Sequence, residues 1–247
     1  NHAATNKNDH AIPRAERAAA QKAGEAEEGN SEGRRRMSVT SREREIVSAL
    51  ATKIRMLSFE QIRSGWWPDS DAADWNARRR LAELVEAGLL IRERVAAKPL
   101  LEITEPVLRW KPGEAAPEYS SLAWQLQKRW TEPEREVTTY LASRRAASIF
   151  GGWANGRIKN PGQATHDFHV GAVYLNLLRT APTLAAGWIG EDILSPTRQG
   201  QKLPDAILYD REGRPRLVVE FGGAYPAERV QKFHEDCATR SLPYELW

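Results

Sequence analysis

The sequence predicts a mixed α/β (α+β) protein in two parts, a helical front half closed by a strand hairpin and a back half in the order αβββαβ. Three observations predict it. Residues 41–95 carry three runs of apolar side chains at helical spacing, then an alternating run that reads as strand. From residue 165 onward, two helical patterns enclose three short strand patterns, and a fourth strand closes the chain. Residues 1–37 hold almost no large apolar side chain, so they cannot offset the entropy of ordering and read as a disordered tail.

Composition sets the outer limits. A chain of 247 residues, 41% hydrophobic and 28% charged, is long enough for two small domains. Cys237 is the single cysteine, which excludes a disulfide framework and a cysteine zinc site and suits a reducing cytosol. No apolar run approaches the ~20 residues of a membrane span, and no signal-peptide core is visible. The expectation is a cytoplasmic protein with no membrane partner. A net charge of +3 permits nucleic-acid binding without demanding it, so local patches must carry that argument. The nine tryptophans read mostly as core and inter-domain packing.

The front half is taken as residues 38–105. Met37, just before a helix-start signal at Ser38 to Ser41, reads as an alternative translation start, and Arg34-Arg35-Arg36 as a basic arm or a solvated tail. Ser41 caps a first helix with Ile46, Val47, Leu50 and Ile54 on one face. Ser58 starts a second, with Gln61 at the capping-box position. A third runs from about Ala72 to Ala87 and stops at Gly88. Two strands follow, Leu89 to Val95 and Leu100 to Thr104, around a turn at Ala96 to Pro99. The stretch RRRLAELVEAGLLIRERV resembles the recognition helix and wing of bacterial winged helix-turn-helix domains.

That resemblance implies a third helix whose N-terminal part enters the major groove. Its exposed candidates are Trp75, Asn76, Arg78, Arg79 and Arg80, with Arg92, Arg94 and Lys98 on phosphates from the wing. Asn and Arg are the side chains suited to bidentate contacts with adenine and guanine. The alternative is a solvated helix face on a winged helix that contacts only protein. Residues 106–160 then read as a helical linker punctuated by proline, with helices near Ser120 to Trp130 and Glu134 to Phe150, the second ending at Gly151-Gly152. Arg144-Arg145 and the loop Arg157 to Lys159 would extend a basic track.

The back half, residues 161–247, carries the candidate chemistry. A helix from Thr165 to Arg179 puts His166 and His169 on its apolar face. A strand around Trp188 to Ile193 carries Glu191 and Asp192. The stretch LPDAILYDREGRPRLVVEFGG reads as a β-hairpin turning at Glu212-Gly213. In that register Asp210 faces Pro215, Tyr209 faces Arg216 and Asp205 faces Glu220, setting two carboxylates side by side at the open end. An odd-numbered loop or a bulge would slip the pairing and send them to opposite faces. A last helix, about Pro226 to Arg240, precedes a short strand at Tyr244 to Trp247.

This order, with Pro204-Asp205-Ala206 on one strand and Glu220 on the next, resembles the PD-(D/E)xK phosphodiesterase core, a restriction-endonuclease-like fold. With the winged helix before it, and with His166 (THDF), Trp188 and Glu191 (WIGE) and Lys232, the chain from 41 to 247 is similar to the replication-relaxation family of bacterial plasmids and mobile elements. The resemblance implies that Asp205 and Glu220 hold Mg²⁺, with Mn²⁺ as substitute, and that a lysine two residues after the second acid activates water. Here that position is Gly222. Stand-ins for the base are Lys232, Gln231, His234 and Lys202, with Glu191 or His166 assisting. By helical period Lys232 points to solvent, while Gln231 and His234 flank the apolar face of Val230, Phe233 and Cys237.

The expected function is that of a nucleoid-associated DNA-binding protein of mobile elements, with a degenerate nuclease-like half and Mg²⁺-dependent cleavage as an open possibility. The alternative is a non-catalytic regulator that uses the degenerate half for homodimer or protein contacts. An RNA-directed nuclease is a third reading.

Overall fold

The structure is a computed structural model describing residues 38–67, 69–70, 72–154, 156–158, 160–195 and 203–247. The sequence features at Arg34 to Met37, Lys159 and Lys202 lie outside the described residues. The described residues form a mixed α/β fold with nine α-helices and two sheets of three and five strands. None of these helices is long and apolar enough to cross a membrane.

Three helices come first: α1 (Ser41–Thr52), α2 (Phe59–Trp66) and α3 (Ala73–Glu86). The cap of α1 is Thr40 rather than Ser41, closing a capping box with Glu43. Ser58 and Gln61 form the box expected for α2. Gly88 ends the α3 region at φ +67°, a conformation that suits glycine. Strands β1 (Leu57–Ser58), β2 (Leu90–Ala97) and β4 (Arg135–Ala142) make an antiparallel sheet in the order β1-β4-β2.

The partner of β2 is therefore β4, and residues 100–104 form no strand. The helix expected over Glu134 to Phe150 is instead β4 followed by α5 (Arg144–Phe150), capped by Ser143 and closed by Gly151 at φ +70°. The sequence Val137-Thr138-Thr139-Tyr140 is β-branched and aromatic, and eight register pairs with β2 override any helical reading. Between β2 and β4 lie β3 (Leu108–Trp110) and α4 (Tyr119–Lys128). Far from linking two halves, this excursion completes the second sheet.

That sheet runs β3-β8-β7-β6-β5. Its strands are β5 (Trp188–Gly190), β6 (Ala206–Tyr209), β7 (Pro215–Glu220) and β8 (Tyr244–Leu246), with β3 on the edge. All neighbours are antiparallel except β7 and β8, which are parallel and joined through α9 (Ala227–Thr239). The strand expected over Trp188 to Ile193 stops at Gly190, and Glu191 opens a one-turn helix, α8 (Glu191–Leu194). The long helix is α6 (Ala164–Thr180), followed by α7 (Pro182–Ala186).

One face of the five-stranded sheet is filled by Ile207, Val218, Tyr244 and Leu246 against Leu122 and Leu126 of α4 and Val230, Phe233 and Cys237 of α9. The opposite face meets α6: His169 stacks on Phe221 and Tyr174 packs edge-on to Trp188. The same helix also covers the three-stranded sheet, where Phe168 and Ala164 pack with Met56, Val95, Ala97 and Leu141. Gly171 sits where a Cβ would lie 2.8 Å from Leu57, so helix and sheet approach more closely there than another side chain permits. A helix buried on two sides needs a wide apolar surface, and α6 supplies one with Ala164, Phe168, Val173, Tyr174 and Leu177, while its buried polar groups Asp167, His169 and Asn176 are hydrogen-bonded.

Leu126 is fully buried although it belongs to the excursion between β2 and β4. Leu126→Ala is expected to lose about 2–5 kcal/mol of stability, measured by denaturant unfolding, as for a leucine truncated in a core. A solvent-exposed linker helix would lose almost nothing.

Candidate functional site

The hairpin brings Asp205 and Glu220 together, by two errors that cancel. Its loop spans Asp210 to Arg214, an odd number of residues, and Tyr209 pairs with Pro215 rather than Arg216. A bulge between Leu208 and Tyr209 then restores the register, so Ala206 faces Val219 and the next pair outward is Asp205 and Glu220. The loop is held by Asp210, whose carboxylate accepts from the Glu212 and Arg214 amides, and by Gly213 at φ +75°.

The two acids are buried and already committed. One Glu220 oxygen accepts from the Asp205 amide at 3.3 Å and the other from the Tyr225 hydroxyl at 2.7 Å. Asp205 Oδ2 accepts the Phe221 amide at 2.6 Å, and Oδ1 faces His166 Nε2 at 3.2 Å. Glu220 is 2% exposed. Mg²⁺ prefers near-octahedral coordination and keeps several waters, which this closed pair does not offer. Nor does any group of three or more His, Cys, Asp or Glu side chains among the described residues have a metal-holding arrangement. The residues do not fit the ion.

Beside this pair lies a cavity of about 80 Å³, lined by the turn after α1, the start of α6, α8 and Asp205. Arg55 enters it from that turn. Its guanidinium reaches Asp167 at 3.3 Å, Glu191 at 2.8 Å and Asp192 at 2.9 Å, and these contacts outweigh burial and raise its pKa further. Glu191 is pushed up by burial, with Asp205 and Asp192 adding to the shift and Arg55 opposing it. Arg55 carried no motif in the sequence. Its only trace there was a basic residue in a turn, which is also how a solvated arginine looks.

The two histidines of α6 have opposite environments. Burial disfavours charge on His166, yet Asp205 and Asp167 beside it prevail and push its pKa up to about 10. His169 is pulled down to about 4, chiefly by burial. Its Nδ1 meets the Thr165 carbonyl at 2.6 Å and its Nε2 accepts the Leu101 amide at 3.0 Å. Those bonds define a neutral ring that serves the core and holds the 101 segment in place.

The expected stand-ins for a base are elsewhere. Gln231 is exposed and bonded to Glu235, and Lys232 is exposed, as helical period requires. His234 is buried among Trp110, Tyr119 and Tyr244 and meets the Tyr244 hydroxyl at 3.1 Å. At Gly222 a Cβ would lie 2.8 Å from Leu126 of α4, so the excursion walls off the position where a lysine was expected.

On the nucleic-acid side, Trp75 is 64% exposed with Arg79 over its ring, and Arg79 also pairs with Glu83. Arg78 is exposed and lies 4.0 Å over the Phe59 ring. Arg92 is exposed; burial raises the pKa of the Tyr140 phenol, with Arg92 and Arg78 near enough to oppose the shift and Glu60 adding to it. Arg94 pairs with Glu136 on the surface. Two candidates fall out of this face: Arg80 is tied to buried Glu43 and to Glu83, and Lys98 lies over Trp130 instead of in a wing. Asn76 is half-buried. Tyr140, in a segment read as helix, is, like Arg55, a residue that the sequence reading missed.

Compared with family models, with curated proteins and with solved structures, the chain matches none of them.

The histidines fix opposite pH limits. His166 has a folded pKa of about 10 against 6.5 unfolded, so its stabilisation is full below pH 6.5 and is lost as pH rises through 10. His169, at about 4, costs stability as pH falls from 6.5 toward 4, because the unfolded chain then binds the extra proton. Unfolding midpoints against pH should peak between these limbs, and His166→Gln should flatten the alkaline one. A His166 ring titrating near 6.5 by NMR would contradict the assignment.

Proposed function

We propose that the chain is a DNA-binding protein whose back half is a nuclease-like core without catalysis. One observation carries the DNA reading: Arg78 of α3 and Arg92 of β2 converge near Tyr140, both exposed, and neither pairs with a carboxylate among the described residues. Trp75 and Arg79 extend the same helix face. Cations left unneutralised on a surface suit phosphate oxygens, and a helix end beside them suits a groove.

Supporting the winged helix is the order of elements, three helices with β1, β2 and a third strand, here β4. Supporting the nuclease-like core is the sequence α6, β5, β6, β7, α9, β8, with acids paired on the hairpin. Against catalysis stand the committed oxygens of Asp205 and Glu220 and the closed position at Gly222. The core then acts as a scaffold that fixes the DNA-binding face. The mobile-element setting rests on the sequence resemblance.

Two measurements test this. Duplex DNA binding should fall steeply with salt, and Arg78→Ala and Arg92→Ala should each lower the slope of log K against log salt by about 1. Supercoiled plasmid should stay intact with Mg²⁺ or Mn²⁺, for the wild type and for Asp205→Ala and Glu220→Ala alike. Metal-dependent nicking that is lost in both variants would reinstate catalysis, and binding indifferent to Arg78 and Arg92 would remove the DNA face.

A further inference from the structure

The acids around the cavity have no fit for a divalent ion, yet they are four: Asp167, Glu191, Asp192 and Asp205. Asp167 and Asp205 are buried and Glu191 and Asp192 half-buried, and carboxylates drawn out of water need pairing or hydrogen bonds. Arg55 is the group that answers three of them, with four N···O contacts of 2.8–3.3 Å spread over Nε, Nη1 and Nη2. His166 answers Asp205 at 3.2 Å. The donors come from different places, Arg55 from the turn after α1 and His166 from α6.

The turn is held rigidly. Lys53 Nζ donates to the Ala186 and Trp188 carbonyls at 3.0 and 2.8 Å, and the Trp188 indole donates back to the Lys53 carbonyl at 2.9 Å. A Cβ at Gly190 would lie 2.6 Å from that carbonyl, so β5 and the turn are in backbone contact. A side chain whose backbone is anchored two residues upstream is not a surface arginine that has folded over by chance. Its charge is delivered to one place.

We propose that Arg55 is a built-in cation that neutralises Asp167, Glu191 and Asp192 in place of a bound divalent ion, and that it pins the turn after α1 to these acids of α6 and α8. The inference rests on the reading of the back half as a nuclease-like core without its ion. It explains what holds these acids: Asp167, Glu191 and Asp192 form the socket of an internal guanidinium. Arginine suits this role because its planar fork offers several donors at fixed angles and keeps its charge when withdrawn from water.

The test is thermal unfolding of the full chain at neutral pH, in EDTA and with Mn²⁺. Arg55→Met should lower the Tm by roughly 4–10 °C. Adding Asp192→Asn in that background should recover part of the loss, because it removes a carboxylate that has lost the Arg55 guanidinium. Mn²⁺ should raise the Tm of Arg55→Met and leave the wild type unmoved. Strictly additive losses for the two substitutions would mean that Arg55 acts by packing and would overturn the proposal. So would an Arg55→Met protein indifferent to Mn²⁺, or a wild type that gains as much from Mn²⁺ as the variant does. Arg55→Lys separates charge from geometry: a lysine that fully restores the Tm would show that the fork is not needed. These readouts are independent of DNA. Cleavage of plasmid by the wild type would sink the non-catalytic reading, while the unfolding comparison would still decide Arg55 alone.

Discussion

The fold depends on one helix being buried twice. Helix α6 gives Phe168 and Ala164 to the three-stranded sheet and His169 and Tyr174 to the five-stranded one. Neither sheet can move away from it without exposing apolar surface, worth about 25 cal/mol per Å². The excursion between β2 and β4 adds a second constraint. It leaves the first sheet, supplies β3 and α4 to the second, and returns. The chain is thus threaded through both sheets, and the described residues from Val39 onward form one compact unit.

Charge is arranged around that apolar frame in two contrasting ways. Inside, at the start of α6, cations and carboxylates are matched within hydrogen-bond distance, Arg55 and His166 against four acids. Outside, on α3 and β2, Arg78 and Arg92 are exposed, with the Phe59 ring and the Tyr140 phenol nearby, and Glu60 and Asp74 lie in the same region. The first arrangement is self-sufficient and has low need of a ligand. The second leaves positive charge facing water, where a polyanion can neutralise it with release of counterions. The contrast is the physical basis for the proposed DNA-binding face on α3 and β2.

Much of the local structure was legible in the sequence. The boxes at Ser58 and Gln61, the stops at Gly88 and Gly151 and the outward direction of Lys232 follow from rules acting over a few residues. The pairing of Asp205 with Glu220 was legible too, though for an incomplete reason: the loop and the bulge each shift the register by one, and only together do they preserve it. Local reasoning failed where a strand found its partner far away. Residues 135–142 are extended because β2 waits 38 or more residues upstream, and no periodicity within the segment reveals that. Glu191 left its strand for the same kind of reason, since β6 offers pairing only as far as Gly190.

The sequence by itself determined much of the element order, the helices of residues 41–86 and 164–180 and the hairpin of residues 206–220, together with the glycine at 222. Those are properties of short segments, and side-chain pattern is enough to define them. Only the tertiary structure decided what the acids do. Whether a carboxylate faces an ion, an amide or a guanidinium depends on neighbours brought from over a hundred residues away, as Arg55 is brought to Asp167 and Asp192. A turn arginine and a buried counter-ion are the same letter in the sequence, and packing alone makes them different.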